Sequence, residues 1–304
     1  MSDLKLFQTQ GASLCELDSS SAPLERGLQT VFENNLETLL GVRFLASEYS
    51  TTHGGRMDTL GVDENGYPAI IEYKRERSEN VINQGLFYLD WLMDHRGDFE
   101  LLVRDRFGRE AAAQIEWSAP RLICIAADFT KYDTHAVKQM GRNIELVRYR
   151  KFGEDLLLLE LLTAVSATSP STASVDPMNG GTKASKYKTV SEMVSDAGSA
   201  LANLHSDVET YLLGLGDDVT KKTLKNYFAF RRIKNFACVE VKTTLDLVRL
   251  YLKIDPGTVE LEDGFTRDVR HVGHFGTGDL EVTLKSHDDL ERAKPLIEQS
   301  YEAS

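Results

Sequence analysis

Cysteine is scarce in this 304-residue chain: Cys15, Cys124 and Cys238 are scattered and odd in number. None has a second cysteine or a histidine at metal-ligand spacing, which argues against a disulfide framework or a zinc site and suits a reducing compartment. Long apolar runs are lacking too, since nothing approaches the ~18 consecutive apolar residues of a membrane-spanning helix. The opening stretch, MSDLKLFQTQGASLCELD, has neither the basic flank nor the apolar core of a signal peptide. The expectation is a cytoplasmic protein with no membrane partner. An excess of positive charge is also missing. The net charge is −12, which excludes a protein that coats nucleic acid through bulk positive potential, so any such contact must be local. Neither half is basic: residues 1–163 carry 18 cationic against 26 acidic side chains, and residues 164–304 carry 17 against 21.

What is present is the composition of a soluble globular chain, with 41% hydrophobic and 27% charged residues and enough length for two domains. Residues 164–188, rich in Ser, Thr, Gly and Pro, read as a flexible linker. Before it, apolar residues recur at helical spacing over about Leu24 to Leu40, and Gly41 stops the pattern. Strands are predicted at 42–50, 56–63 and 68–74, a helix at 80–95, a buried strand at 121–127, a helix at 133–141 and strands at 144–151 and 156–162. That order predicts an α/β domain over 1–163, a mixed central sheet flanked by helices. Residues 189–304 predict a smaller α+β domain. It holds a long helix at 190–213, strands at 225–231, 236–242, 245–254 and 280–285, and a last helix at 288–301.

The chemistry concentrates in three residues. Glu72 and Lys74, two apart on a strand, project from one face, and Asp58 lies on the preceding strand. Two carboxylates on neighbouring strands suit Mg²⁺, with Mn²⁺ as the substitute, because a hard cation takes oxygen ligands and keeps several waters. A lysine beside them can orient a metal-bound water and neutralise charge developing on a phosphate. The loop decides whether the acids meet. A two-residue Asn65-Gly66 turn would pair Thr59 with Glu72 and turn Asp58 away, whereas a five-residue loop over 63–67 pairs Val62 with Pro68 and sets Asp58 opposite Glu72. The second geometry is the prediction. Glu72 also follows Ala69-Ile70-Ile71, so a charge interrupts a buried strand, which is costly unless a cation or partner offsets it. Arg56, Arg75 and Arg77 supply local cations for phosphate. Gln84 and Tyr88, spaced i and i+4, share a face of the next helix.

The runs Gly55-Arg56-Met57-Asp58-Thr59-Leu60-Gly61-Val62-Asp63, Ile71-Glu72-Tyr73-Lys74-Arg75 and Asn83-Gln84-Gly85-Leu86-Phe87-Tyr88-Leu89 resemble the catalytic domain of the NucS/EndoMS endonucleases within the PD-(D/E)XK superfamily, over about residues 22–165. The resemblance implies a restriction-endonuclease-like fold and metal ligation by Asp58 and Glu72. It further implies a catalytic role for Lys74, support from Gln84 and Tyr88, and one more acid from the first helix. Glu25 is the best positional match for that acid, and Glu33 the second. Relatives of this type carry a DNA-binding and dimerisation domain ahead of the nuclease domain, whereas this chain starts almost at the nuclease helix, so mismatch specificity is not carried over. The expected activity is metal-dependent hydrolysis of DNA in repair or in defence against foreign DNA, with RNA the other nucleic acid to test. Cutting both strands would favour a homodimer. The alternative is a non-catalytic nucleic-acid- or protein-binding module on the same fold.

The C-terminal half resembles an uncharacterised domain found behind such nuclease-like domains, through Leu213-Gly214-Leu215-Gly216-Asp217-Asp218-Val219, Phe228-Ala229-Phe230-Arg231-Arg232 and Val272-Gly273-His274-Phe275-Gly276-Thr277-Gly278-Asp279. Its densest cationic cluster is Lys221, Lys222, Lys225, Arg231, Arg232 and Lys234, interleaved with Tyr227, Phe228, Phe230 and Phe236. Such a surface could grip a phosphate backbone and stack bases. The competing reading makes the aromatics core and the cations solvated edges. His271 and His274, beside four glycines, are either a ligand loop or structural turn residues.

Overall fold

The computed structural model describes residues 4–20, 26–74, 81–153, 155–165 and 189–304. The chain divides into two compact units, Met1–Thr168 and Ser169–Ser304.

Unit one begins with a two-stranded ribbon, β1 (Leu6–Gln10) and β2 (Ser13–Leu17), and a short β3 (Ser19–Ser20). Helices α1 (Arg26–Asn34) and α2 (Leu36–Leu40) lead into the meander β4 (Val42–Ser50), β5 (Arg56–Asp63) and β6 (Pro68–Lys74). Helices α3 (Val81–Asp94), α4 (Arg96–Phe107) and α5 (Arg109–Ala113) follow, then β7 (Arg121–Ala126), α6 (Lys131–Gln139), β8 (Ile144–Phe152) and β9 (Leu156–Val165). The sheet order is β3-β8-β7-β6-β5-β4, with β9 also on β8. Strands β6, β7 and β8 run parallel and the others antiparallel, so the sheet is mixed. Leu60, Val62, Ile70, Leu122 and Cys124 pack with Tyr88, Leu89 and Leu92 of α3 on one face. On the other face the rings of Phe32 (α1) and Tyr73 meet edge-on at 5.8 Å. This is the mixed α/β architecture that the sequence predicts.

The single helix expected over 24–40 is two. The Asn35 side chain donates to the Val31 carbonyl at 2.8 Å, the local competition that makes asparagine a helix breaker. Gly41 closes α2 in the left-handed conformation, at φ 63°. Ala164 and Val165, assigned to the linker from sequence, instead finish β9, and the rest of that segment, 166–188, lies outside the described residues.

Unit two packs α7 (Val190–Ser195), α8 (Ser199–Gly214) and α9 (His287–Glu302) on an antiparallel sheet. Its strands are β10 (Thr220–Thr223), β11 (Phe228–Arg231), β12 (Asn235–Lys242), β13 (Leu247–Leu252), β14 (Thr266–Asp268) and β15 (Leu280–Leu284), in the order β10-β11-β12-β13-β15-β14. The long helix expected at 190–213 is interrupted between Ser195 and Ser199, at Gly198. The strand expected from Lys225 begins at Phe228. Among the described residues no helix is long and apolar enough to cross a membrane.

Candidate active site

The site is built by the loop between β5 and β6. Asp63 Oδ1 accepts the backbone N–H groups of Asn65 at 2.9 Å and Tyr67 at 2.8 Å, and the Asp63 N–H donates to the Tyr67 carbonyl at 2.9 Å. Gly66 supplies the left-handed residue, at φ 84°. Arg121, itself 2% exposed, holds Asp63 from β7 at 3.2 Å and pairs through two nitrogens with Glu145 of β8 at 2.9 and 2.8 Å. Burial opposes the Arg121 charge, but Glu145 and Asp63 more than offset this and raise its pKa. The loop therefore has odd length, and the strands pair Val62 with Pro68, Leu60 with Ile70 and Thr59 with Ile71. Continuing that register sets Asp58 opposite Glu72, the geometry predicted for the five-residue loop.

At that point the ladder gives way to side chains. The Asp58 N–H donates to Glu72 Oε1 at 3.2 Å, and the Tyr73 N–H donates to Asp58 Oδ2 at 2.9 Å. The two acids thus satisfy backbone amides that regular pairing would otherwise use. By strand alternation both belong to the face covered by α3. That helix approaches closely because Gly85 has no side chain, and a Cβ there would come within 2.5 Å of the Leu122 side chain.

Glu72 is 1% exposed. Burial first, then the Asp58 charge and more weakly Glu48, push its pKa up to about 9, although the N–H of Asp58 favours the ionised form. A carboxylate in this setting ionises readily only if a cation is supplied. Two oxygen donors, one of them buried, suit Mg²⁺, which takes one or two carboxylates and retains water. Among the described residues no set of three His, Cys, Asp or Glu side chains converges as a metal site.

Gln84 and Tyr88 do come together. The Tyr88 hydroxyl accepts from Gln84 Nε2 at 3.1 Å and from the Arg56 backbone N–H at 3.0 Å, so the pair ties α3 to the start of β5, two residues before Asp58. Lys74 ends β6, with its backbone opposite Ala126 of β7. Glu25, Arg75 and Arg77 lie outside the described residues. Glu33, the second-ranked helix acid, accepts from Gln29 at 3.1 Å and from the Ser47 and Thr59 hydroxyls, each at 2.7 Å.

One acid escaped the sequence reading. The pairs Ser47–Thr59 and Tyr49–Met57 put Glu48 of β4 opposite Asp58, so Glu48, Asp58 and Glu72 form a row across three strands. The signal was hidden by a register shift between Phe44 and Ala46, which spacing alone does not reveal. Gln29, on α1, was also missed, and its amide reaches Glu48 Oε1 and the Asp58 carbonyl, each at 3.4 Å.

In unit two the cationic cluster is largely committed to protein partners. Arg231 is 3% exposed and donates to the Ile233 carbonyl at 2.6 Å, which corrects its assignment to a nucleic-acid surface. Lys221 pairs with Glu209 at 2.6 Å and Arg232 with Asp218 at 2.7 Å. Lys222 is half-buried and Lys225 exposed. Tyr227, Phe228, Phe230 and Phe236 are buried, so they are core rather than a stacking platform. In the glycine-rich loop His271 is exposed, while the His274 ring lies 4.3 Å from that of Tyr251.

Residues 190–304 match the family model described as "Domain of unknown function (DUF5655)". The chain is 27% identical over 303 residues to an uncharacterized protein of Haemophilus influenzae, covering 98% of this chain and 99% of that protein. Among solved structures it is similar to a repair endonuclease from Pyrococcus abyssi at 18% identity and a TM-score of 0.28. That similarity covers 42% of this chain and half the length of the endonuclease.

Proposed function

We propose that unit one is a metal-dependent nuclease that hydrolyses phosphodiester bonds of DNA, with Asp58 and Glu72 as metal ligands and Lys74 as its cationic partner. The observation that carries this reading is the meeting of Asp58 and Glu72, one of them buried, where the β5–β6 ladder breaks off. A buried carboxylate beside a second one costs stability, and binding a divalent cation would offset that cost. When bound, Mg²⁺ would supply Lewis acidity toward a phosphoryl oxygen and an acidified water. The residues of the chain supply the remainder. Asp58 and Glu72 are oriented by the amides that they accept. Lys74, two residues beyond Glu72, is assigned to neutralise charge developing on the phosphate during water attack and P–O cleavage. Tyr88 and Gln84 hold the start of β5, and so the position of Asp58.

The test is cleavage of single-stranded, double-stranded and branched DNA, with RNA in parallel, in Mg²⁺ or Mn²⁺. Activity is expected to vanish with EDTA and to fall by at least ~10³-fold in Asp58→Ala and Lys74→Ala, the scale of losing a principal stabiliser of transition-state charge. Cleavage that survives both substitutions, or that needs no metal, overturns the assignment.

A further inference from the structure

We infer that Glu48 is a positioning residue that presents Arg56 as a clamp for a backbone phosphate of the substrate; this rests on the nucleic-acid reading of the same site. Three observations carry it. Glu48 adopts φ 52°, a left-handed conformation that a non-glycine residue in a strand takes only when its surroundings enforce it. It completes the acidic row opposite Asp58: Oε1 accepts from Gln29, while Oε2, buried and without a hydrogen-bond partner, lies against Arg56 Nε as an ion pair. Arg56 is in turn fixed through its own backbone N–H to Tyr88.

The atom used matters. Glu48 approaches the guanidinium from its Nε side, through charge and not through a hydrogen bond, and no second ion pair of Arg56 is found among the described residues. The Arg56 side chain is 61% exposed. A guanidinium attracted on its Nε side keeps, at its two terminal nitrogens, the planar fork that recognises a phosphate through two parallel hydrogen bonds, which a lysine cannot reproduce. It stands two residues before Asp58, so a phosphate held there is a near neighbour of the one at the acidic row. In a chain of net charge −12 this is the confined cationic contact that nucleic-acid binding requires.

The experiment is a double-mutant cycle on binding of a fluorescein-labelled 20-base-pair DNA duplex, read by anisotropy in Ca²⁺ across a salt series, with the intact chain. Arg56→Ala and Glu48→Ala should each weaken binding roughly tenfold. Each should also flatten the plot of log affinity against log salt by about one unit, the signature of one lost phosphate contact. The double variant should bind no worse than either single one, because Glu48 acts through Arg56. Glu48→Gln, which keeps the shape but not the charge, should lose as much as Glu48→Ala, and Arg56→Lys should not restore what Arg56→Ala loses. Additive losses, a Glu48→Ala effect that persists in the Arg56→Ala background, or unchanged salt slopes would overturn the inference, as would a wild-type chain that binds no duplex. Cleavage by the wild type, measured alongside, separates the two readings. A chain that binds through this clamp but never cuts refutes the nuclease and keeps the clamp, and one that cuts with additive losses does the reverse.

Discussion

Replacing Glu72 by glutamine should stabilise the metal-free protein while abolishing the proposed cleavage. Glu72 is 1% exposed, and its pKa is pushed from 4.5 to about 9 by burial, with Asp58 and Glu48 adding repulsion. A carboxyl whose folded pKa lies above its unfolded value gives stability that is fully present below about pH 4.5 and is lost as pH rises toward 9. Each unit in that window is worth about 1.4 kcal/mol, so by pH 7 the wild type has given up about 3 kcal/mol. Glutamine does not titrate, and its amide oxygen can still accept the Asp58 N–H. Wild type and Glu72→Gln should therefore match near pH 4 and diverge steadily above it. Urea unfolding in EDTA, followed by tryptophan fluorescence, measures this within the intact chain, because both tryptophans, Trp91 and Trp117, lie in unit one. Mg²⁺ should raise the stability of the wild type and leave Glu72→Gln unmoved, since only the ionised carboxylate gains from the cation. Identical pH dependences for the two proteins between pH 5 and 8.5 would refute the claim that this carboxyl is held in a hostile environment.

The remaining predictions probe what holds the acidic row in place. Arg121→Ala leaves Asp63 and Glu145 buried without their shared cation, and should cost unit one about 3–5 kcal/mol in the same urea assay; a loss below 1 kcal/mol would show that the network is dispensable. Tyr88→Phe removes the oxygen that accepts from both Arg56 and Gln84. It should cost about 1 kcal/mol in stability and raise hydrogen exchange at the Arg56 amide, an effect that an unchanged exchange rate would exclude.

Much of unit one is legible in the sequence because its sheet obeys short-range rules. Leu60, Val62 and Ile70 alternate with Thr59, Gly61 and Ile71, and the loop from Asp63 to Tyr67 carries the turn chemistry that sets the register. The Asp58–Glu72 pairing follows from that parity. Glu48 does not, because the register of β4 on β5 slips between Phe44 and Ala46, a decision taken by packing. Helix α4 is equally quiet in sequence: only Phe99 and Val103 are buried along it, too narrow an apolar stripe to announce a helix. The ribbon of β1 and β2 is exposed along nearly its whole length and so lacks the alternation that betrays a strand. In unit two the error over Arg231 has a related origin. A run of cations beside aromatics looks like a surface patch, but strand pairing turns one of those cations inward, where the Ile233 carbonyl receives it.

The odd length of the Asp63–Tyr67 loop bears on how this protein can vary over its history. With side chains alternating at period two, adding or deleting two residues there preserves which faces of β5 and β6 coincide, while adding or deleting one exchanges them. A single-codon insertion would leave every residue of the acidic row present and still separate Asp58 from Glu72. It would also disturb the amides that Asp63 gathers and that Arg121 anchors. Drift in this loop should therefore proceed in even steps, and homologues that keep both acids should share its parity even where its composition has changed completely.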